Sequence, residues 1–200
     1  MPIGGRFYNR LGPRILVGSG LMVSGFSFWQ LSHLTTAVGF WDIFWPQVWQ
    51  GVGFSLIFVA LSTAALATIP KPEITAATGL YNVSRNIFGS IGIAISASQL
   101  TAGMQRYHSM LSERASIANP AAVSWLSNAT AAMMAKTGAD LQTAKVMALR
   151  MLDGTISRQA AVLSYNRVFV LVFVLFVLSL PLVLLLKRGH VVEGAEIMVE

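Results

Sequence analysis

Apolar residues gather along the chain in long, nearly uninterrupted blocks, with neither the alternation of a strand nor the spacing of a soluble amphipathic helix. A helix needs about 20 such residues to cross a bilayer core of about 30 Å. Four blocks approach that length: residues 15–36, 44–69, 77–101 and 168–186. The first carries no charge, and a short turn around Gly39 to Asp42 joins it to the second, so the two must form an antiparallel hairpin. Pro70-Lys71-Pro72 stops the second block, because proline cannot continue a helix. The third is less apolar and holds Asn82, Arg85 and Asn86 near its start. The fourth is dominated by valine, leucine and phenylalanine and closes with Lys187-Arg188. Its Pro181 is tolerable in a membrane helix, where neighbours satisfy the freed carbonyl. Residues 102–167 have ordinary polarity, and Leu141, Ala144, Ala148 and Leu152 recur there at helical spacing, which predicts one helix inside a long loop.

Composition strengthens this picture. Of 200 residues 54% are hydrophobic and only 11% charged, against roughly 25% charged in soluble domains. The expected fold class is an all-α membrane protein with about four transmembrane helices. The formal charge of +6 lies beside the apolar blocks and not on a soluble face, so it indicates a membrane surface and no nucleic acid. Arg6, Arg10 and Arg14 precede the first block, Lys71 follows the second, and Lys187 and Arg188 follow the last. By the positive-inside rule both termini, residues 1–14 and 187–200, are expected to be cytoplasmic, and the 102–167 loop extracytoplasmic.

Candidate chemistry is sparse. There is no cysteine, and His33, His108 and His190 lie far apart, so no metal site is expected. No nucleophile elbow, phosphate loop or intramembrane carboxylate pair is present, so neither an enzyme nor a cofactor is expected. Polar residues at membrane depth are costly and point to function. Arg85 either lines a pathway or anchors its helix end. Asn82 and Asn86 share a turn with it and either bond across a bundle or touch substrate. Gln47 and Gln50 project from one face of the second block, near Trp45 and Trp49. They form a strip suited to bulky, often cationic ligands, or, as Trp41, Trp45 and Trp49 favour, part of an interfacial aromatic belt. The small residues Gly89, Ser90, Gly92, Ala94, Ser96 and Ala97 suit close helix approach.

The most specific string is Gly5-Arg6-Phe7-Tyr8-Asn9-Arg10-Leu11-Gly12-Pro13-Arg14, a tight basic turn in which Gly12 and Pro13 set the bend. It resembles the cytoplasmic loop motif of the major facilitator superfamily, in the copy found in the C-terminal half. Pro46 to Phe54 with Ala65 to Pro70, Thr78 to Ile95, and Arg158 to Phe169 extend the likeness, in order, to the fourteen-span drug:proton antiporters of the EmrB/QacA group.

The resemblance implies the last four spans of such a transporter, with Met1 in mid-sequence of the parent. It also implies residence in a bacterial inner membrane and small hydrophobic or cationic drugs as substrates. The partners implied are the missing N-terminal half and, from the long loop, a periplasmic adaptor and an outer-membrane channel. The motif positions carried over are Gly5, Arg6, Asn9, Arg10, Gly12, Pro13 and Arg14; Asn9 replaces the family's acidic residue, which removes that carboxylate's salt bridge. No Asp or Glu lies within the four blocks, so no proton carrier is expected here, and the chain alone is not expected to transport. A different class also fits the pattern: a small membrane scaffold that binds a partner through the 102–167 loop.

Overall fold

A computed structural model describes residues 2–66, 69–115 and 119–183. Five α-helices make up most of it: α1 (Pro2–Leu31), α2 (Phe40–Leu66), α3 (Ile74–Arg114), α4 (Pro120–Thr137) and α5 (Leu141–Val183), with a 3-10 turn at Lys71–Glu73 before α3. Three of them, α2, α3 and α5, are long and apolar enough to cross a membrane. These hold the third apolar block and most of the second and fourth, residues 67–68 and 184–186 lying outside the described residues. The first block falls in α1, whose helix ends at Leu31, short of the expected Thr36, and whose serines and glycines dilute its apolar character.

Two further differences concern length. The third block was expected to end near residue 101, yet α3 continues to Arg114. The last was expected from residue 168, yet α5 begins at Leu141. Most of the 102–167 segment, expected as a partly helical connection with one helix, is therefore helical. Charged residues such as Arg106 and Arg150 lower hydropathy without disfavouring helix, since arginine is a good helix former.

Contacts divide the chain into two compact units. The first comprises residues 1–33, 39–93 and 169–200. Its α1 is broken at Gly12, where φ is 72° and ψ 158°, a backbone state that costs glycine nothing and other residues dearly. This break falls at the bend expected between Gly12 and Pro13, and Pro13 is buried. Beyond it, α1 meets α2 almost backbone to backbone. A Cβ on Gly53 would lie 2.8 Å from the Gly20 carbonyl oxygen and 2.8 Å from the Ser24 nitrogen, and would collide with the Ser24 hydroxyl. Ser24 and Ser27 are wholly buried in this seam, and Ser27 Oγ donates to the Pro46 carbonyl at 2.6 Å. Leu16, Val17, Ala60 and Val183 form a small apolar core with Leu21 against it. Phe28, 8% exposed, meets Phe54, Phe169 and Phe176 at ring separations of 5.4–6.3 Å.

The second unit comprises residues 34–38 and 94–168. Within it, α5 buries Ala144, Ala148, Ile156, Ala160 and Ser164, one face at four-residue spacing that continues the stripe expected from Leu141 to Leu152. Leu141 itself is exposed. Gly103 of α3 approaches Ser164 so closely that an added Cβ would lie 3.1 Å from its Oγ. Asn166 Nδ2 donates to the Leu34 carbonyl at 2.8 Å and Arg158 to that of Thr36 at 3.2 Å, so polar side chains hold the 34–38 turn. Each helix end is capped locally: Asn119 accepts from the Ala121 amide, Gly138 returns its amide to Met134, and Asp140 accepts from the Gln142 amide. Hydrogen bonds from Thr143, side chain first and then backbone, hold the Asp140 carboxyl below its usual range.

Candidate functional site

Of the polar residues expected at membrane depth, Arg85 has the most specific environment. It lies in α3, and its guanidinium carbon sits 5.0 Å from the centroid of the Phe58 ring of α2, within the range of a cation–π contact. Asn82, Arg85 and Asn86 are all exposed on α3. Asn82 and Asn86 are one helical turn apart and so share a face, which Arg85 adjoins. Gly89 follows one turn beyond Arg85, and a Cβ there would meet nothing within 4 Å. The surface beside Arg85 is open among the described residues.

The α2 residues divide differently. Gln47 is exposed and Gln50 half-buried. Arg85 reaches α2 through Phe58, eight residues past Gln50, and not through either glutamine. Trp41, Trp45 and Trp49 are exposed, and Phe40, Trp41, Phe44 and Trp45 form consecutive ring contacts of 5.4–5.6 Å. An exposed aromatic cluster at one end of a spanning helix is what an interfacial belt consists of. In the N-terminal motif, Gly12, Pro13 and Arg14 are described, while the side chains of Gly5, Arg6, Asn9 and Arg10 lie outside the described residues. So do the Lys187-Arg188 pair and His190.

Three features were missed in the sequence. Phe58 was one apolar residue among many, and only the register between α2 and α3 singles it out. The phenylalanine cluster had a signal: Phe169, Phe173 and Phe176 recur at helical spacing along one face of the last block. In the second unit, His108 Nε2 lies 3.0 Å from Asp153 Oδ1, joining α3 to α5 at the edge of a cavity of about 410 Å³ lined by Met104, Gln105 and Ser157. Its partners are 45 residues apart in sequence, beyond any local pattern. No group of three or more His, Cys, Asp or Glu placed to hold a metal ion occurs among the described residues. A second cavity of about 310 Å³ in the first unit, lined by Leu21, Met22, Phe26, Trp29 and Phe173, is apolar and offers no group for polar recognition.

The helices, their apolar surfaces and an arginine set against an aromatic ring describe a membrane protein, with no catalytic constellation visible among the described residues. Comparison with known proteins carries this further. The chain is 28% identical over 187 residues to the fatty acid resistance protein FarB of Neisseria gonorrhoeae, covering 93% of this chain and 35% of that protein. It is 29% identical over 183 residues to the multidrug export protein EmrB of Escherichia coli K12, covering 91% of this chain and 34% of EmrB. Over 81 residues, 40% of this chain and 16% of the relative, it is 36% identical to the colistin resistance protein EmrB of Acinetobacter baumannii. No family model matches the chain, and no solved structure does. The chain spans about a third of the length of the first two relatives. Over about nine-tenths of its length the chain is thus similar to the EmrB-type export proteins.

Proposed function

We propose that this chain is the C-terminal part of a multidrug efflux transporter of the major facilitator superfamily, working by drug:proton antiport across a bacterial inner membrane. What carries this reading is the alignment to FarB and EmrB over nine-tenths of the chain. The three long apolar helices agree with it. In this reading both termini are cytoplasmic, and α2 and α3 contribute Gln47, Gln50, Asn82, Arg85 and Asn86 to the substrate pathway. The N-terminal motif, from Gly5 to Arg14, forms the cytoplasmic turn. Alternating access needs two bundles rocking about a midplane site. The remaining spans, and the carboxylates for proton coupling, come from a companion part, with a periplasmic adaptor and an outer-membrane channel as further partners.

The test is joint expression with a companion part supplying the remaining spans, in a host lacking its own efflux pumps. Resistance to a panel of apolar and charged drugs should rise only when both parts are present. Arg85→Ala should lower it about 10-fold at equal membrane level, the effect of losing roughly 1.4 kcal/mol of interaction. Absence of resistance with both parts inserted overturns the transport reading, and unaltered resistance in Arg85→Ala returns that residue to helix anchoring.

A further inference from the structure

We propose that Met104 and His108 of α3, backed by Asp153 of α5, form a binding site for a soft monovalent metal cation, copper(I) or silver(I). The site lies wholly within the second unit and is independent of the transport reading.

The argument begins with the histidine. His108 Nε2 stands 3.0 Å from Asp153 Oδ1. An ionised carboxylate can only accept, so the proton of this bond belongs to Nε2, and the lone pair of the neutral ring falls to Nδ1. A metal-binding imidazole is held in the same way: one nitrogen donates to a carboxylate, which fixes the ring and raises the basicity of the other nitrogen toward the ion. Among the described residues Nδ1 forms no hydrogen bond. The side chains of His108 and Asp153 are 40% and 67% exposed, so an ion can reach the ring from solvent.

Met104 supplies the second ligand. It precedes His108 by four residues in α3, which sets the two side chains on one face with Cβ atoms about 5–6 Å apart. Both line the cavity of about 410 Å³, as do Gln105, Ser109 and Ser157. The three rotatable bonds of methionine let its sulfur adapt to an ion held at Nδ1.

This ligand set selects the metal. Thioether sulfur takes soft ions such as copper(I), and imidazole suits copper as well, whereas magnesium, calcium and manganese prefer carboxylates, carbonyls and water. Asp153 is engaged by His108, and Gln105, Ser109 and Ser157 are neutral. Zinc takes three or four ligands from Cys, His, Asp and Glu, and no such group of three occurs among the described residues. Copper(I) and silver(I), with filled d shells and a single charge, are satisfied by two ligands. A count of histidines, cysteines and carboxylates, on which no metal was expected, therefore passes over this pair. The chain has no cysteine, so no thiolate competes for a soft ion. Coordination at Nδ1 also draws electron density from the ring and strengthens its bond to Asp153, so the ion tightens the junction of α3 with α5.

The experiment titrates silver nitrate into the 200-residue chain in phosphatidylcholine nanodiscs, in chloride-free buffer, with calorimetric detection and empty nanodiscs as the blank. A single tight equivalent of silver(I) should bind, ahead of any weaker uptake by other methionines. Met104→Leu and His108→Ala should each weaken that equivalent about 100-fold, and Asp153→Asn about 10-fold, the effect of losing the group that orients a ligand. Met147→Leu, which removes an exposed methionine of α5, should leave it unchanged. Zinc(II) should bind about 100-fold more weakly than silver(I). Circular dichroism on each variant checks that the helices persist, and Met104→Leu, which conserves volume and removes only the sulfur, keeps the test decisive if His108→Ala does not fold. Wild-type silver affinity in Met104→Leu or His108→Ala overturns the proposal, as do an equal loss in Met147→Leu, zinc binding as tight as silver, or the absence of a tight equivalent. The titration involves no transport, so failed resistance leaves the site standing, and a failed titration leaves the efflux reading untouched.

Discussion

The two units are both helical, but their helices are held together by different means. In the first, α1 and α2 meet through Gly20, Ser24 and Gly53 with almost no side chain between them, and phenylalanines from α1, α2 and α5 fill the remaining space. In the second, polar side chains do much of the joining: Asn166 and Arg158 hold the 34–38 turn, and His108 meets Asp153 between α3 and α5. Lipid tails are as apolar as leucine, so burial of apolar area cannot drive helices together inside a bilayer, and close backbone contact must do so. Where water reaches the chain, directional polar contacts hold loops at modest individual strength.

Substitutions can break this comparison, beginning with the seam. Gly53→Val places atoms where the Gly20 carbonyl and Ser24 nitrogen already stand, and neither can move without its helix. We expect a loss of about 3 kcal/mol or more and separation of α1 from α2, read as loss of a disulfide cross-link engineered across the two helices. Wild-type cross-linking in Gly53→Val would show that the seam is not the source of cohesion.

A smaller effect is expected in the second unit. Asn166→Leu removes the donor to the Leu34 carbonyl and should cost about 1 kcal/mol, with faster hydrogen exchange confined to residues 34–38. Exchange that rises equally in α1 and α2 would erase the distinction between the units.

The smallest effect concerns pH. Asp140 has its ionised form favoured in the folded chain, so its contribution is present above the ordinary carboxylate value of 3.8 and is lost as the pH falls below it. The start of α5 should fray only in acid, and Asp140→Ala should fray it at neutral pH as well, both visible as amide exchange at Gln142 and Thr143. Fraying of Asp140→Ala at low pH alone would contradict the cap.

How much of this was legible follows from the reach of each signal. Block length and hydropathy located α2, α3 and α5, because a membrane span is a local property of some 20 residues. The same measure bounds apolar blocks and not helices: α3 runs past its block to Arg114 and α5 starts well before its block at Leu141, because a helix carrying Arg106 or Arg150 remains a helix while its hydropathy falls. The buried stripe from Ala144 to Ser164 was visible in part, as the spacing of Leu141, Ala144, Ala148 and Leu152, and its continuation through Ile156 and Ala160 was not followed. Arg85 was legible from the cost of a charge among apolar residues. Phe58 was not, because which ring an arginine meets depends on the register of two helices. Gln47 and Gln50 looked equivalent by spacing, yet one is exposed and the other half-buried.

The buried serines of α1 show what so close a seam demands. Ser24 and Ser27 are both wholly buried where α1 meets α2. Ser27 donates to the Pro46 carbonyl at 2.6 Å, while Ser24 Oγ, which stands where a Cβ on Gly53 would be, has no hydrogen-bond partner among the described residues. The approach of the two backbones thus leaves one hydroxyl without the bond that looser packing would allow it.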